Sequence, residues 1–265
     1  MKVGIVGCSG RMGQMLVREV LATPGCTLAG GTDRAGSPAL GRDIGTLAGL
    51  EPLGLVVAED PVPLFAEAEV VIDFTTPEAT ARHAALAAQA TTALVIGTTG
   101  LGRAELEAVS LAAQHTAIVH SANMSLGVNL VQALVEQVAR TLGPDFDIEI
   151  LEMHHRHKVD APSGTALALG KAAAAGRGVD LDAVARRARD GHTGPRVPGE
   201  IGFAVLRGGD VVGDHVVTFA GEGERIEIGH RASNRRIYSL GAMRAALWAR
   251  TQPPGLYGMR DVLGL

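Results

Sequence analysis

The residues at 152–166 combine groups that can transfer protons with a site that can hold an anion. Three imidazoles, an arginine and a lysine occupy five consecutive positions, and Ser163, Gly164 and Thr165 follow at the predicted start of a helix. Imidazole titrates near neutral pH, so His154 can donate a proton. The free N–H groups of a helix N-terminus, together with two hydroxyls, can hold a carboxylate. The segment therefore predicts proton transfer to a small carboxylated molecule.

Two further groups in this cluster can complement a second carboxylate of the same molecule: His155 and Lys158. If the segment were strand throughout, His154 and Lys158 would share a face but lie roughly 13 Å apart, at about 3.3 Å per residue. One small ring could hardly touch both, so we expect the chain to bend between them. His157 has no role in this scheme and is expected to be a structural or surface histidine.

A zinc site is the alternative for the same histidines, because imidazole nitrogens are common zinc ligands. On a strand, however, His155 and His157 would share a face while His154 would point away from it. No cysteine lies nearby. A three-histidine site would need a distorted strand, so we expect no metal here.

A glycine-rich turn follows the first predicted strand and opens the first predicted helix. Its residues are Gly7, Cys8, Ser9, Gly10, Arg11, Met12 and Gly13, a G-x-x-G-x-x-G variant of the dinucleotide fingerprint. Glycine permits the tight turn and lets backbone N–H groups approach a pyrophosphate at the helix N-terminus. The alternative is a tight turn that binds no ligand.

An acidic residue stands where a ribose-binding carboxylate is expected, because Asp33 lies twenty residues beyond Gly13. The neighbouring Arg34 can bind the 2′-phosphate of NADP. The two side chains together predict weak discrimination between NADH and NADPH, whereas an ordinary surface ion pair is the alternative interpretation.

Two further loops follow predicted strands of the same sheet. Loops after parallel strands line the ligand crevice, and small hydroxylated residues there suit a ribose or a nicotinamide amide. The predicted cofactor-binding residues in these loops are Gly97, Thr98, Thr99, Ser121, Ala122, Asn123 and Met124.

Short apolar runs alternate with helical segments in the first part of the chain. The predicted strands there are 2–6, 27–32, 70–74, 93–97 and 117–120. Apolar residues recur with helical spacing at 11–23, and a helix is predicted to begin at Thr75-Thr76-Pro77-Glu78. This alternation is typical of βαβ units and predicts an α/β fold with an N-terminal Rossmann-type, doubly wound parallel sheet.

The pattern changes after Asn123. Apolar and acidic residues alternate at 146–150, as in a strand with one face in water. Similar alternation recurs at 201–203, 214–220 and 225–230. Helices are predicted at 128–142 and 239–249, and a long surface connection with a short helix at 179–198. The middle of the chain is therefore predicted to form an α+β domain with a mixed or antiparallel sheet, and the last helix to pack back onto the first domain.

Composition excludes several classes of partner. The 265 residues include 46% hydrophobic residues and carry a formal net charge of −4, which indicates a globular protein and argues against nucleic-acid binding. The two cysteines, Cys8 and Cys26, are too few for a disulfide framework, and Cys8 is expected to be a small filler residue. No signal segment and no apolar stretch of the roughly 18 residues that span a bilayer are visible. We therefore expect a cytoplasmic protein that binds neither nucleic acid nor a membrane.

The stretch from Glu152 to Ala166 closely resembles the signature of the dihydrodipicolinate reductase family of bacterial lysine biosynthesis. Further segments that resemble the family are 7–13, 73–75, 97–100, 201–203, 230–233 and 258–263. The resemblance thus covers nearly the whole chain. Its histidine-rich signature is highly specific, whereas the glycine motif is not.

The resemblance implies how the chain is divided and what it does. It implies a Rossmann domain completed by the C-terminus, residues 1–125 and 235–265, and a mixed-sheet domain, residues 126–234, for substrate binding and oligomerisation as a homotetramer. It implies reduction of a cyclic dicarboxylate, 4-hydroxy-tetrahydrodipicolinate, by NADH or NADPH in the diaminopimelate route to lysine.

The resemblance also implies roles for individual residues. His154 would donate the proton and Lys158 would also serve catalysis. His155, Gly164 and Thr165 would bind substrate carboxylate, and the loops at 97–99 and 121–124 would contact the cofactor. The chain departs from many family members at Met124, where phenylalanine is common, and at Asp33, where some relatives carry glutamate.

Two other functions are compatible with a nucleotide site. A sensor that binds NAD(P) without catalysis would not need Lys158 or the Ser-Gly-Thr sequence. Another two-domain dehydrogenase acting on amino acids is the second possibility. Arg235 and Arg236 lie near the return to the first domain, where they could contact cofactor phosphates or simply form an exposed face.

Overall fold

The computed structural model describes all residues, 1–265, and the chain divides into two units. The first unit contains residues 1–125 and 236–264, and the second contains residues 126–235 together with Leu265.

The strands and helices alternate through most of the chain. The strands are β1 (Lys2–Val6), β2 (Thr27–Thr32), β3 (Val70–Asp73), β4 (Ala93–Ile96), β5 (Ala117–His120), β6 (Asp147–His154), β7 (Ala185–Arg186), β8 (Ile201–Arg207), β9 (Gly213–Ala220), β10 (Arg225–Ala232) and β11 (Gly255–Tyr257). The helices are α1 (Arg11–Ala22), α2 (Ile44–Leu47), α3 (Val62–Glu67), α4 (Pro77–Ala90), α5 (Arg103–Ala112), α6 (Leu126–Leu142), α7 (Gly164–Arg177), α8 (Leu181–Val184), α9 (Arg236–Ala249) and α10 (Met259–Leu263). A short 3-10 turn at Gly143–Asp145 follows α6.

A six-stranded parallel sheet, in the order β11-β5-β4-β3-β1-β2, forms the centre of the first unit. Every residue of β3 and β4 is buried, as expected for parallel strands covered on both faces. Ile5, Ile72 and Leu94 are fully buried in this sheet. This doubly wound sheet confirms the predicted Rossmann-type fold.

Local signals explain where α4 begins. The hydroxyl of Thr76 accepts the N–H of Ala79 at 3.4 Å, while Pro77 and Glu78 occupy the first turn. Proline suits the first turn because its missing N–H would have no intrahelical partner there, and an acid suits the positive end of the helix. The helix start predicted at 75–78 is confirmed.

The end of the chain returns to the first unit. Helix α9 belongs to this unit, and β11 extends its sheet beside β5. The only tryptophan, Trp248, packs edge-on against Tyr257 with 4.9 Å between ring centroids. The predicted return of the last helix is confirmed, whereas the sequence pattern did not predict the three-residue strand β11.

A five-stranded mixed sheet, in the order β10-β9-β6-β8-β7, forms the second unit together with α6 and α7. Strand β6 pairs antiparallel with β9 and parallel with β8. Ile150, Phe203 and Phe219 are buried in the core of this unit, to which Val135 of α6 and Leu169 of α7 also belong. The mixed sheet confirms the prediction for the middle of the chain, although β6 continues four residues beyond the predicted 146–150 segment, to His154.

No helix in the chain has both the length and the apolar character that crossing a membrane requires.

Candidate active site

The chain turns sharply where β6 ends. The N–H of Lys158 donates to the carbonyl of His155 at 3.1 Å, which closes a turn directly after His154. The expected bend between His154 and Lys158 is therefore present. It separates His154, on the strand, from the two other histidines, Arg156 and Lys158.

A buried carboxylate holds His154 in place. Glu152 is 1% exposed, and its Oε2 lies 2.6 Å from Nδ1 of His154. Arg207 donates two hydrogen bonds to the same carboxylate, at 2.7 and 2.9 Å, and the backbone N–H of Ser163 donates a further one at 3.0 Å. Burial raises the pKa of Glu152, but the hydrogen bonds from Arg207, His154 and Ser163 outweigh burial and lower it below its ordinary value. Glu152 is therefore an ionised acceptor, and its bond to Nδ1 leaves Nε2 of His154 as the reactive nitrogen.

Ser163 caps helix α7, as its position before Gly164 predicted. Its hydroxyl accepts the N–H of Ala166 at 3.1 Å and lies 2.9 Å from Nε2 of His215. The residue is 2% exposed. Both its hydroxyl and its backbone N–H thus have protein partners. Ser163 therefore holds the N-terminus of α7 in place. The N-terminal turn of α7, which Gly164 and Thr165 open, supplies the positive helix end that suits a carboxylate.

Lys158 lies beside an acid of its own segment. Its Nζ donates to both carboxylate oxygens of Asp160, at 2.7 and 2.8 Å, and its side chain is 19% exposed. The hydrogen bond from Lys158 lowers the pKa of Asp160. A bound carboxylate near Lys158 would therefore share this ammonium with Asp160.

The two other histidines of the segment and Arg156 line a surface cavity of about 700 Å³ in the second unit. Its lining residues are His155, Arg156, His157, Gly209, Asp210, Val212 and Arg235. Desolvation, followed by the charge of Arg235, lowers the pKa of His155, whose Nδ1 is buried without a partner. The structure thus places His155 and His157 in a different environment from His154. No group of three His, Cys, Asp or Glu side chains is arranged to hold a metal ion.

Arg235 and Arg236 fall in different surroundings. Arg235 lines the cavity beside His155, whereas Arg236 donates to Glu19 of α1 at 2.8 and 3.1 Å. The shared role that their adjacency suggested is therefore not reflected in their contacts.

The glycine turn of the first unit has the backbone that a pyrophosphate requires. Gly7 has φ +68°, and Gly10 precedes α1 without any side-chain cap on the helix N–H groups. A Cβ on Gly13 would collide with the backbone of Gly7 and Cys8. The turn thus brings bare N–H groups to a helix N-terminus, and these residues fit a dinucleotide. Burial, followed by the charge of Asp33, raises the pKa of Cys8 to about 12, so its thiol stays protonated and acts as filler.

Asp33 follows β2 and is positioned by the glycine turn. The hydroxyl of Ser9 donates to its Oδ2, and the backbone N–H of Arg34 donates to its Oδ1 at 2.7 Å. The Arg34 side chain is exposed. A carboxylate at this point could accept hydrogen bonds from ribose hydroxyls, and that role of Asp33 stays a prediction.

Buried polar groups that the sequence analysis missed support the next loops. Asp73 is fully buried, and its Oδ1 accepts the N–H and the hydroxyl of Thr75 at 2.9 and 2.6 Å. The hydroxyl of Thr98 is bonded to the N–H of Thr75 and to Thr80. His83 completes the group through Nδ1, 2.9 Å from Asp73. A polar aspartate at the end of an apolar strand was the available signal. Thr98 is thus engaged in this network, whereas Thr99 is exposed.

The two other loop segments also have specific internal contacts. A Cβ on Gly97 would collide with the ring of Phe74, so glycine is required there for packing. The hydroxyl of Ser121 donates to the carbonyl of Asn123 at 2.8 Å, and this contact shapes the turn after β5. Ala122 lies in that turn, and the Met124 side chain is only 1% exposed. Both loops lie at the carboxyl edge of the sheet, where dinucleotides bind in this fold.

The fold and the site define a nicotinamide-dependent oxidoreductase with a Rossmann unit and a separate mixed-sheet unit. Family models described as "Dihydrodipicolinate reductase, N-terminus" and "Dihydrodipicolinate reductase, C-terminus" match residues 1–124 and 127–263. The chain therefore belongs to the dihydrodipicolinate reductase family.

Individual relatives agree over the full length of the chain. It is 58% identical to "4-hydroxy-tetrahydrodipicolinate reductase 1" of Mesorhizobium japonicum, over 98% of this chain and 96% of the relative. It is 56% identical to "4-hydroxy-tetrahydrodipicolinate reductase" of Brucella abortus, over 98% of each chain. A solved structure, dipicolinate-bound dihydrodipicolinate reductase from Paenisporosarcina sp. TG-14, superimposes with a TM-score of 0.78 at 25% identity and covers 98% of each chain.

Proposed function

We propose that the chain reduces 4-hydroxy-tetrahydrodipicolinate to tetrahydrodipicolinate with NADH or NADPH, in the diaminopimelate route to lysine. The observation that carries the proposal is the arrangement of His154, held by Glu152 beside the N-terminus of α7, in a chain whose relatives carry this activity in their names. One substrate, one NAD(P)H and one proton give tetrahydrodipicolinate, NAD(P)⁺ and water.

The second unit binds the substrate and supplies the proton. One carboxylate lies at the first turn of α7, where Gly164 and Thr165 begin the helix, and the other lies against His155 and Lys158. Loss of the 4-hydroxyl as water leaves a conjugated ring. His154 then protonates the ring carbon next to the one that is reduced, through Nε2, because Nδ1 is bonded to Glu152. Lys158 stabilises the negative charge that develops on the ring in the transition state.

The first unit binds the coenzyme, which when bound supplies the hydride for the other ring carbon. The glycine turn at 7–13 holds the pyrophosphate at the N-terminus of α1. Asp33 accepts the ribose hydroxyls, and Arg34 accommodates a 2′-phosphate, so both coenzymes are used. The loops at 97–99 and 121–124 bind the ribose and amide of the nicotinamide end.

We also propose a homotetramer that works in the cytoplasm. The second sheet has one face away from its helices, and this face carries partly exposed apolar side chains. Leu151 is 41% exposed and Leu206 is 46% exposed. Burying such a face against copies of the same chain would be favourable, because each exposed Å² of apolar surface removed from water contributes roughly 25 cal/mol. Light scattering on the purified protein tests this assembly, and a monomer at micromolar concentration would contradict it.

A coupled assay tests the activity. The product of dihydrodipicolinate synthase, supplied fresh, should lead to loss of the reduced nicotinamide absorbance with NADH and with NADPH. The variant Lys158→Met is expected to lower kcat about 10²-fold, since a well-placed charge is commonly worth that much. Lys171→Met, on the exposed side of α7, is the matched control and should keep wild-type rates. Absence of coenzyme oxidation with either nucleotide would contradict the proposed function.

A further inference from the structure

His215 is a buried imidazole that takes no direct part in the proposed reaction. It lies on β9, opposite Glu152 in the antiparallel pair with β6, and is 4% exposed. Its Nδ1 is buried without a hydrogen-bond partner. A buried unsatisfied polar atom destabilises the fold, and a phenylalanine of similar shape would avoid that cost. The imidazole therefore needs a compensating role, which its other nitrogen indicates.

The other nitrogen contacts the cap of α7. Nε2 of His215 lies 2.9 Å from the hydroxyl of Ser163, which also accepts the N–H of Ala166 at 3.1 Å. The capping bond uses a lone pair of the hydroxyl, so the hydroxyl proton remains available for a neutral imidazole. Burial, followed by the electrostatic interaction with His154, lowers the pKa of His215 to about 4, which keeps the ring neutral near pH 7. His215 thus orients the hydroxyl of Ser163, and this hydroxyl in turn caps the first turn of α7.

These contacts connect four residues in a ring: Glu152, His154, His215 and Ser163. The rings of His154 and His215 meet edge to face, with 5.1 Å between centroids and 74° between planes. Glu152 connects His154 to Ser163, because one of its carboxylate oxygens accepts from Nδ1 of His154 and the other accepts from the backbone N–H of Ser163. The proton donor and the anion-binding helix end are therefore connected twice, through Glu152 and through His215.

We infer that His215 is a positioning residue that holds His154 and the first turn of α7 in one mutual arrangement. The inference rests on the proposed roles of His154 and of α7. His215 acts through the hydroxyl of Ser163 on one side and through the edge of the His154 ring on the other. It touches neither substrate nor coenzyme in this scheme.

Two substitutions separate the two contacts. His215→Phe keeps an aromatic ring beside His154 and removes the hydrogen bond to Ser163. His215→Gln places an amide near the position of Nε2 and keeps a hydrogen bond. We expect His215→Phe to lower kcat about tenfold and to raise KM for the substrate, because small displacements of reacting groups cost about that much or more. We expect His215→Gln to stay within about threefold of wild type. Equal rates for the two variants would overturn the inference.

A double substitution shows whether His215 acts through the proton donor. In a His154→Gln background, His215→Phe should lower kcat by less than about twofold, since the group that it positions is gone. A full independent tenfold loss in that background would contradict positioning of His154. Coenzyme dissociation constants should be unchanged in every variant, and a matching circular dichroism spectrum excludes global unfolding as the cause.

A spectroscopic measurement keeps this inference separate from the proposed function. The ring nitrogens of His154 can be followed by ¹⁵N NMR of histidine-labelled wild-type and His215→Phe protein, with dipicolinate as the added probe. The variant should shift the His154 resonances and weaken dipicolinate binding, whatever the wild type reduces. Unchanged resonances together with unchanged dipicolinate affinity would overturn positioning, whereas a wild type inactive in the coupled assay would overturn only the proposed function.

Discussion

Each unit of the molecule contains a buried carboxylate bonded to Nδ1 of a histidine. In the first unit, Asp73 lies 2.9 Å from His83, and in the second, Glu152 lies 2.6 Å from His154. Both acids are almost fully buried, and the two histidines are 8% and 9% exposed. The two pairs are therefore alike in the feature most often associated with acid–base catalysis.

Their surroundings differ. Asp73 receives its other hydrogen bonds from the hydroxyl and N–H of Thr75 and from the hydroxyl of Thr98, and the ring of His83 stacks on Phe65 at 6.0 Å between centroids. Glu152 receives two bonds from Arg207. An acid–histidine pair alone thus fails to identify a catalytic site. The cation that keeps the acid ionised and the neighbouring anion-binding helix end distinguish the second pair.

The largest expected difference between the two pairs is in turnover. His154→Gln removes the proposed proton donor and should lower kcat about 10²- to 10⁴-fold, the usual contribution of general acid–base catalysis. His83→Gln should keep kcat within about threefold and lower the free energy of unfolding by about 1–2 kcal/mol through the weakened buried bond. Steady-state assays at saturating coenzyme, with unfolding by denaturant, measure both quantities. Comparable losses of kcat in the two variants would remove the distinction.

A second difference concerns the acids themselves. Glu152→Gln leaves Arg207 without its ionic partner and should lower the free energy of unfolding by about 3–4 kcal/mol, as breaking a buried ion pair does. In Asp73→Asn, the new amide would face the hydroxyl and N–H donors of Thr75 rather than an arginine. Its expected cost is about 1–2 kcal/mol, and urea unfolding of the two variants measures the difference. A larger loss in Asp73→Asn would show that Arg207 contributes little to the second pair.

The stability of the second unit is also expected to depend on pH in the acid range. His215 has a pKa of about 4 in the fold against an ordinary value of 6.5, so the unfolded chain takes up the proton first as pH falls. Stability is then lost between these two values, by up to roughly 3 kcal/mol from this group. The lowered pKa of Glu152 acts in the same direction, since its contribution is present above its unfolded value and is lost as pH falls through the folded one. His215→Gln should lose less stability than wild type between about pH 6.5 and about pH 4 in urea unfolding. Parallel loss in both proteins would assign the acid sensitivity to other groups.

Much of this architecture could be predicted from local sequence, because hydrophobic period and turn residues encode it. Strands β1 to β5, the glycine turn and the start of α7 all depend on neighbours in the sequence. The last residues of β6 were not predicted, because Glu152 and His154 interrupt the apolar pattern on the buried face. Their burial depends on Arg207, far along the chain, which no local pattern reveals.

The same limit applies to individual roles. Ser163 was correctly expected at the helix start, but its hydroxyl was assigned to substrate because its partner, His215, is 52 residues away. Asp73 and His83 were not recognised, since a buried pair needs the helix α4 to fold back over β3. Contacts of this kind follow from tertiary packing, whereas the bend after His154 followed from simple strand geometry and the size of the proposed substrate.

The smallest effect concerns the space in front of the reactive nitrogen. A Cβ on Gly213 would lie 2.9 Å from Nε2 of His154, a contact too close for the ring to keep its place. The backbone of Gly213 accepts a side chain, because its φ is not in the left-handed region. Gly213→Ala should therefore displace the imidazole and lower kcat about tenfold without changing coenzyme affinity.

Gly208→Ala is the matched control, because its Cβ would meet only the flexible end of Met153, at 3.1 Å, and should leave kcat unchanged. Both glycines belong to the second unit, whereas His83 belongs to the first. Wild-type turnover in Gly213→Ala would mean that catalysis tolerates a displacement of Nε2 of His154. In that case the two acid–histidine pairs would differ in the charge of Arg207 and the nearby N-terminus of α7 rather than in the orientation of the His154 ring.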